Sequence, residues 1–312
     1  MPFDFSLVTA PFRMQPDLRR AAPDTVTLTA CEPGGRHLRE KIAVLEAHAS
    51  QALLAEPEFD AAPALRMLAE ECAGQASPPF RFENTLACAA PRLEWSLVDG
   101  RPTGRGDAAI GALLRALPAG QRPAALLSLA FEEDFAIVDG ASATVPWLAV
   151  CLPSRWAPEE KLGRSLAAIH APVADGELLR AASDGLVRLV TGGGRWERTV
   201  WTITAEPRLA QHPGRAGTDW AASSADPQAR AGAAFFRSEH QTFLPVAGAR
   251  QAVFAIHVRS EPLTDAVTDA DAAARLHAAL ASMSPAVLAY RRLDVARDDL
   301  LEWLHRRSLA RA

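Results

Sequence analysis

A histidine at the predicted end of a short helix is the residue of this sequence best placed to do chemistry. His170 follows Leu166 and Ile169, which lie on one face of a helix predicted over residues 158–169, and Ala171-Pro172 ends that helix directly afterwards. A rigid helix end that brings a neutral imidazole into an apolar pocket suits an axial haem ligand. A lone histidine is more often a core or capping residue, so the residues by themselves leave both interpretations open.

The residues before His170 have the chemistry of a helix start. Pro158 suits a first helical position, and Glu159 and Glu160 favour the positive end of a helix. Lys161 follows them and is one of two lysines in a chain with 33 Lys and Arg residues. Lysine at this position either has a specific function or is accidental, because genomic base composition can replace lysine by arginine across a whole chain.

Cys151, which ends an apolar strand, is the rival axial ligand, because thiolate ligation favours oxygen–oxygen cleavage. No surrounding pattern would stabilise a thiolate there, so a buried structural thiol is the favoured interpretation. The cysteines have no C-x-x-C spacing, which excludes a local zinc or iron–sulfur motif and is typical of reduced thiols in the cytoplasm. They are Cys31, Cys72, Cys88 and Cys151.

Composition excludes several partners. The chain has 312 residues, a net charge of -4 and a pI near 6.1. Nucleic-acid binding requires a basic surface, so this charge argues against nucleic acid as the main partner. Its longest apolar run, at residues 124–131, is much too short to span a membrane, and no signal peptide is visible. Gly192-Gly193-Gly194 lacks phosphate-loop spacing. We therefore expect a cytoplasmic protein with neither a nucleic-acid nor a membrane partner.

Hydrophobic periodicity predicts a mixed α+β chain. Helices are predicted from Leu38 to Leu53 and over 63–72, 108–117, 124–131, 158–169, 177–190, 269–283 and 298–308. Strands are predicted over 135–138, 144–152, 196–204, 234–246 and 251–258. Pro146 predicts that its strand lies at a sheet edge. Two strands, a helical insertion and three strands form the order of a PAS-like fold, a five-stranded antiparallel sheet whose inserted helices cover a ligand.

Several ordered motifs resemble the haem-dependent oxidative N-demethylase family, whose haem subunit has a PAS-like fold. Around His170 they are Pro153-Ser154-Arg155-Trp156, Glu160-Lys161-Leu162-Gly163 and Ile169-His170-Ala171-Pro172-Val173. Later motifs are Arg198-Thr199-Val200-Trp201 and Arg237-Ser238-Glu239-His240-Gln241-Thr242. Upstream, Glu132-Glu133-Asp134-Phe135 resembles the family's Gln-Glu-Asp-Leu. The resemblance covers about residues 125–295.

The resemblance implies a haem b monooxygenase that oxidises an N-methyl group of a small secondary amine with dioxygen. Formaldehyde would leave when the carbinolamine collapses. His170 would be the axial iron ligand, and Glu239 with Gln241 the polar catalytic wall. The chain has no Rossmann fingerprint and no iron–sulfur motif, so electrons would come from an external NAD(P)H-dependent reductase, a separate flavin or iron–sulfur subunit or protein. The implied organisation is a mainly helical region over 1–120 packed on a haem-binding PAS-like domain with C-terminal helices over 121–312.

Strand parity adds a test from the residues themselves. Arg237, Glu239 and Gln241 share one strand face with Phe235 and Phe243, so an inward face would carry a buried carboxylate. Such a carboxylate is costly unless it is paired or functional, and it would bind an amine cation or relay protons. The alternative is a partly solvated strand with a surface Arg237–Glu239 pair.

Other cofactor-binding candidates follow from the motifs. Arg155, Arg164 and Arg198 are expected to bind haem propionates because arginine binds carboxylates bidentately, although each is also a plausible surface residue. Trp156 and Trp201 would pack on the porphyrin or belong to the core. Lys161 has a place in the motif and no assigned task.

Three positions depart from the family motifs. Val200 replaces an asparagine, His240 an arginine, and His257-Val258-Arg259 stands where Arg-Thr-Tyr is common. These changes leave two alternatives open. One is a non-catalytic haem-PAS binding or sensor protein, for which no output domain is visible. The other is an interaction protein without a cofactor.

Overall fold

The computed structural model describes residues 3–22, 25–71, 80–82, 88–90, 93–215, 217–221 and 226–309. These residues form both helices and long strands, which confirms the α+β class. The strands are β1 (Arg19–Arg20), β2 (Leu53–Ala55), β3 (Arg81–Phe82), β4 (Cys88–Ala90), β5 (Trp95–Ser96), β6 (Asp134–Asp139), β7 (Thr144–Ala149), β8 (Trp196–Thr204), β9 (Phe235–Val246) and β10 (Gln251–Pro262).

The helices include all of those predicted except the one over 158–169. They are α1 (Arg36–Ala52), α2 (Ala62–Glu71), α3 (Ala108–Ala116), α4 (Arg122–Ala130), α5 (Leu166–Ile169), α6 (Glu177–Thr191), α7 (Pro227–Gly232), α8 (Leu263–Ala266), α9 (Ala270–Ala281), α10 (Pro285–Tyr290) and α11 (Arg297–Leu309). The short α7, α8 and α10 were not predicted. No helix in the described part of the chain is long and apolar enough to cross a membrane.

Seven of the described strands form one antiparallel sheet in the order β1-β8-β9-β10-β6-β7-β2. The five predicted strands are its centre, β6 to β10, and the chain before residue 121 adds β1 and β2 at the two edges. A separate small sheet contains β3, β4 and β5. The large sheet is therefore wider than predicted, because segments from the N-terminal region extend it on both sides.

The expectation that Pro146 marks a sheet edge is wrong. β2 pairs with β7 on the side away from β6, so β7 is an inner strand. Two features let the proline stay there. The pairing of β7 with β6 is irregular between Ile137 and Asp139, and the Pro146 carbonyl accepts a hydrogen bond from the Glu56 amide at 2.9 Å. Neither contact uses an N–H that proline lacks.

The continuous helix predicted over 158–169 is also wrong. Pro158–Glu160 forms a single 3-10 turn, and only Leu166–Ile169 is α-helical. Gly163 has φ +68 and interrupts the helical path. Ser165 then forms a bridge with Thr144 on β7 and caps α5 by accepting from the Ala168 amide at 3.3 Å. His170 is therefore held by a one-turn helix tied to the sheet.

Three buried clusters surround the sheet. One joins the N-terminal helices to β6, β9 and β10, and a second packs the C-terminal helices on Ile203 and Phe236. The third lies under α6 and includes Val187, Val190 and Phe243. This third cluster borders the site described next.

Candidate functional site

A cavity of about 410 Å³ lies between the sheet and the segments that cover it. This volume is in the range of small-molecule and cofactor sites. Strands β6 to β10 supply one wall, residues 154–190 supply another, and residues 7–18 close a further side. Its apolar lining includes Ala136, Val138, Leu148, Leu166, Ile169, Val190, Phe243, Phe254 and Ile256.

Eight of the nine predicted site residues line this cavity. They are Arg155, Trp156, Lys161, His170, Arg198, Trp201, Glu239 and Gln241. Arg164 is solvent-exposed and is not part of the lining. The cavity thus collects residues that lie up to 86 positions apart in the sequence, between Arg155 and Gln241.

His170 is a neutral imidazole with an unused nitrogen. It caps the C-terminus of α5, and its amide donates to the Leu166 carbonyl at 3.0 Å. Burial, together with the positive charges of Arg198 and Lys161, lowers the pKa of His170 to about 4. Its Nδ1 is buried without a hydrogen-bond partner among the described residues. A buried orphan nitrogen of this kind is costly unless a ligand uses it.

A chain of hydrogen bonds runs along the sheet wall of the cavity. Arg237 Nε donates to Ser154 Oγ at 2.8 Å, and the Ser154 hydroxyl donates to Glu239 Oε1. Gln241 Nε2 donates to Glu239 Oε2 at 2.6 Å, and Arg198 Nε donates to Gln241 Oε1 at 2.6 Å. One carboxylate is therefore held between two neutral donors, with an arginine at each end of the chain.

Arg237 anchors this chain inside the protein. It is 1% exposed and donates to the Leu152 and Leu209 carbonyls at 3.2 and 2.9 Å. Burial lowers the pKa of Arg237 to about 10, and the negative charge of Glu239 opposes that shift. The alternative of a surface Arg237–Glu239 pair is therefore wrong, because Arg237 is buried and Ser154 bridges the two charges.

Two more arginines place positive charge at the cavity. Arg155 has φ 61, a left-handed conformation that carries its guanidinium to Thr204 Oγ1 at 3.2 Å. Arg198 also donates to the Pro16 carbonyl at 3.2 Å, and burial lowers its pKa while Glu239 opposes the change. An anionic ligand would meet Arg155, Lys161 and Arg198 here.

The family model described as haem-dependent oxidative N-demethylase, alpha subunit-like, matches residues 36–301. The chain belongs to that family. The match confirms the resemblance inferred from the motifs and extends it towards the N-terminus. No curated protein matches the chain.

A haem-dependent family needs residues that fit haem, and this cavity provides them. The neutral imidazole of His170 in the cavity lining is a suitable iron ligand, and the nearby cations suit propionate carboxylates. Cys151 does not fit as a ligand. It is fully buried, burial raises the pKa of its thiol to about 12, and it is not part of the cavity lining.

The two tryptophans of the family motifs differ in position. Trp156 lines the cavity and packs against both the cluster under α6 and the cluster of the N-terminal helices. Trp201 pairs with Ser238 in the β8–β9 register, on the face opposite to Glu239. Its ring stacks on Phe236 at 6.2 Å in the C-terminal core and contacts Phe12 at 5.8 Å, so it is mainly a core residue at the border of the cavity.

The departures from the family motifs fall in different places. Val200 lines the cavity, where it presents an apolar group. His240 lies on the other face and pairs with Glu197 at 2.9 Å. His257 is likewise absent from the lining and contacts Glu132 at 3.0 Å. Of the three, only Val200 alters the cavity directly.

Some lining residues were missed by the sequence analysis. Arg291 lies over the ring of Phe12 at 4.6 Å, and burial lowers its pKa to about 10. Tyr290 lines the same part of the cavity. Neither belongs to a motif or a periodic pattern that would have indicated a site. Ser154 does lie in a motif, but its bridging position depends on the fold of β9 beneath it.

Proposed function

We propose that this protein is a haem b monooxygenase that oxidises an N-methyl group of a small secondary amine with dioxygen and releases formaldehyde. The observation that carries the proposal is one cavity containing both a neutral, unpartnered His170 and a carboxylate fixed by Ser154 and Gln241. Family membership supports the haem dependence and the N-demethylase class.

His170 would hold the haem iron, and Arg155, Lys161 and Arg198 would hold the propionates. Trp156 would pack on the porphyrin from the covering segment. When bound, haem supplies the activation of dioxygen that oxidation of the methyl group needs. The apolar residues Phe243 and Phe254, stacked at 4.5 Å, would exclude water from this part of the site.

Glu239 would bind the substrate. A secondary amine is a cation at neutral pH, and each Glu239 oxygen keeps lone pairs beyond the one that Ser154 or Gln241 uses. Gln241 would keep the carboxylate directed into the cavity, because Arg198 in turn fixes the Gln241 amide. Glu239 Oε2 would accept the amine proton when the substrate becomes a neutral amine.

The fold supports a PAS-like assignment for the haem-binding part, which we place at residues 121–312. Its five strands have the order β7-β6-β10-β9-β8, with α5 and α6 inserted between β7 and β8. The inserted segment covers the cavity, as the PAS-like arrangement requires. Electrons would come from an NAD(P)H-dependent reductase with flavin or iron–sulfur groups. The family's description as an alpha subunit is consistent with such a partner.

Absorption spectroscopy of haem-loaded protein tests the ligand. We expect His170→Ala to lose the Soret band and coordination state of the wild type, whereas His305→Ala, at an exposed position on α11, keeps both. An unchanged spectrum in His170→Ala would contradict the assignment of the ligand.

Formaldehyde release from dimethylamine, with an electron donor supplied, tests the carboxylate. We expect Glu239→Gln to keep the haem spectrum and to lower kcat/KM at least about 100-fold, as for loss of a general base. Glu197→Gln, a glutamate change in β8 on the opposite sheet face, serves as the control. Equal activity of Glu239→Gln and the wild type would refute the role of Glu239.

A further inference from the structure

Two histidines and a glutamate converge on the face of the sheet opposite to the cavity. His37 lies in α1, Glu132 between α4 and β6, and His257 in β10. One ligand atom from each lies within 4.8 Å of the others. Their side chains are 15, 19 and 10% exposed, so the group is shielded but can be reached from solvent. Ile256, the residue before His257, lines the cavity, which places this cluster on the other side of β10.

The separations suit a single bound ion. His37 Nδ1 is 3.5 Å from Glu132 Oε2, and His257 Nε2 is 3.0 Å from the same oxygen. Two ligands of a tetrahedral zinc ion, each about 2.0–2.1 Å from the metal, are about 3.3–3.4 Å apart. Only small side-chain adjustments would bring these atoms to that spacing.

The hydrogen bond of His37 fixes which of its nitrogens is free. Its Nε2 lies 2.8 Å from the Val258 carbonyl, and a carbonyl only accepts, so Nε2 carries the hydrogen. Nδ1 of the neutral ring then directs a lone pair at a carboxylate oxygen, and the two acceptors repel each other unless a cation lies between them.

We propose that His37, Glu132 and His257 form a binding site for one divalent transition-metal ion, with Zn²⁺ as the ion that fits the donor set. Two imidazoles and a carboxylate leave a fourth position for water or an exogenous ligand. The Val258 carbonyl orients His37 as such partners orient metal-bound histidines elsewhere. The ion would connect α1, the start of β6 and β10.

The positive charge of Lys41 lies near this site and does not prevent binding. Its ammonium is paired with Asp134 at 3.3 Å and donates to the carbonyls of Phe131 and Glu133. The charge is thus already compensated locally.

His257 Nε2 and Glu132 Oε2 lie 3.0 Å apart, and none of the three proposed ligands belongs to the cavity lining. The proposed site is independent of the haem assignment.

Zinc binding to the chelator-treated full chain tests the proposal. Equilibrium dialysis against Zn²⁺, followed by elemental analysis, counts zinc separately from haem iron. We expect one Zn²⁺ per wild-type chain and an affinity more than about tenfold weaker in Glu132→Gln and in His257→Gln. Zn²⁺ should raise the Tm of the wild type and leave that of both variants unchanged.

The matched control is His277→Gln. His277 and His305 form a second pair of adjacent imidazoles, 5.8 Å apart on α9 and α11, without a carboxylate completing a three-ligand group among the described residues. This variant should bind zinc as the wild type does. Equal zinc affinity in the wild type and both ligand variants would overturn the proposal, as would wild-type protein that takes up no zinc. If circular dichroism shows that a variant is misfolded, the absorption spectrum of Co²⁺ bound to the wild type tests the proposed site instead. Tetrahedral cobalt bands support the site, and their absence refutes it.

Discussion

The two lysines of this chain lie in regions of opposite character. Lys41 is 0% exposed beside the start of β6, donates to the Phe131 carbonyl at 2.9 Å and lies 3.3 Å from Asp134. Lys161 is half-buried at the cavity, in a segment whose backbone adopts left-handed conformations at Arg155 and Gly163. Lys41 is enclosed by hydrogen-bond and ion-pair partners, whereas Lys161 borders the cavity.

The groups around Lys41 stabilise the fold, whereas the groups around Lys161 are available to a ligand. Burial lowers the pKa of Lys41, but the pKa is raised overall because the negative charge of Asp134 acts together with Cys31, Cys151 and Glu133. Asp134 is held in turn by the Leu152 amide at 2.6 Å. Near Lys161 the opposite holds, because His170 keeps an unpartnered nitrogen and part of the backbone is strained. Substitutions should therefore affect stability in the first region and ligand binding in the second.

The largest expected effect is that of Lys41→Met. It leaves the Asp134 carboxylate buried without its cation, which should lower the free energy of unfolding by about 3–5 kcal/mol. Lys161→Met, the matched change at the other lysine, should cost less than about 1 kcal/mol. Urea unfolding in the presence of a chelator measures both.

The double variant Lys41→Met/Asp134→Asn should recover part of the loss, because both charges are then gone. Equal stability of the two single lysine variants would break the distinction between the regions.

A smaller effect is expected from pH at His170. The folded pKa is about 4 against an ordinary value of 6.5, so below pH 6.5 the unfolded chain binds a proton that the folded chain does not. Stability is therefore complete above pH 6.5 and falls as the pH is lowered towards 4. At pH 4.5 this contribution amounts to about 2–3 kcal/mol.

A comparison of haem-free wild type with His170→Gln isolates the contribution of His170 to stability, since all other groups titrate alike in the two proteins. The difference in their unfolding free energies should change by that amount between pH 7.5 and 4.5. A difference independent of pH would show that His170 is solvated and ordinary.

The local sequence pattern was sufficient to predict the strands and the polar wall of the cavity. The alternation in β9 predicted that Arg237, Glu239 and Gln241 face one way, and the hydrogen bonds from Ser154 and Arg198 confirm it. Period-two alternation determines which face a strand residue occupies, whatever else packs there. The helix that ends at His170 was predicted correctly only in its last turn.

Long-range contacts account for what the sequence did not predict. Lys41 lies on a helix whose apolar spacing was recognised, but its partners begin 90 positions later at Phe131. Residues 7–18 close the cavity without any periodic pattern, and β2 covers Pro146 through pairing between distant segments. Such contacts depend on how elements pack, which spacing within one element does not reveal.

The smallest expected change in stability is that of Gly163→Ala, and the same substitution at Gly185 should have the opposite sign. Gly163→Ala places a side chain on a residue with φ +68, near the flexible end of Glu56, and should destabilise by about 1–2 kcal/mol. Gly185→Ala, in the exposed part of α6 with no atom within 4 Å of the added carbon, should stabilise by about 0.5–1 kcal/mol. Thermal unfolding of both variants measures the two changes. Because Gly163 sets the path to Ser165 and α5, Gly163→Ala should also weaken haem retention, whereas Gly185→Ala should not. If both variants retained haem equally, the left-handed turn at Gly163 would matter to the fold and not to the position of His170.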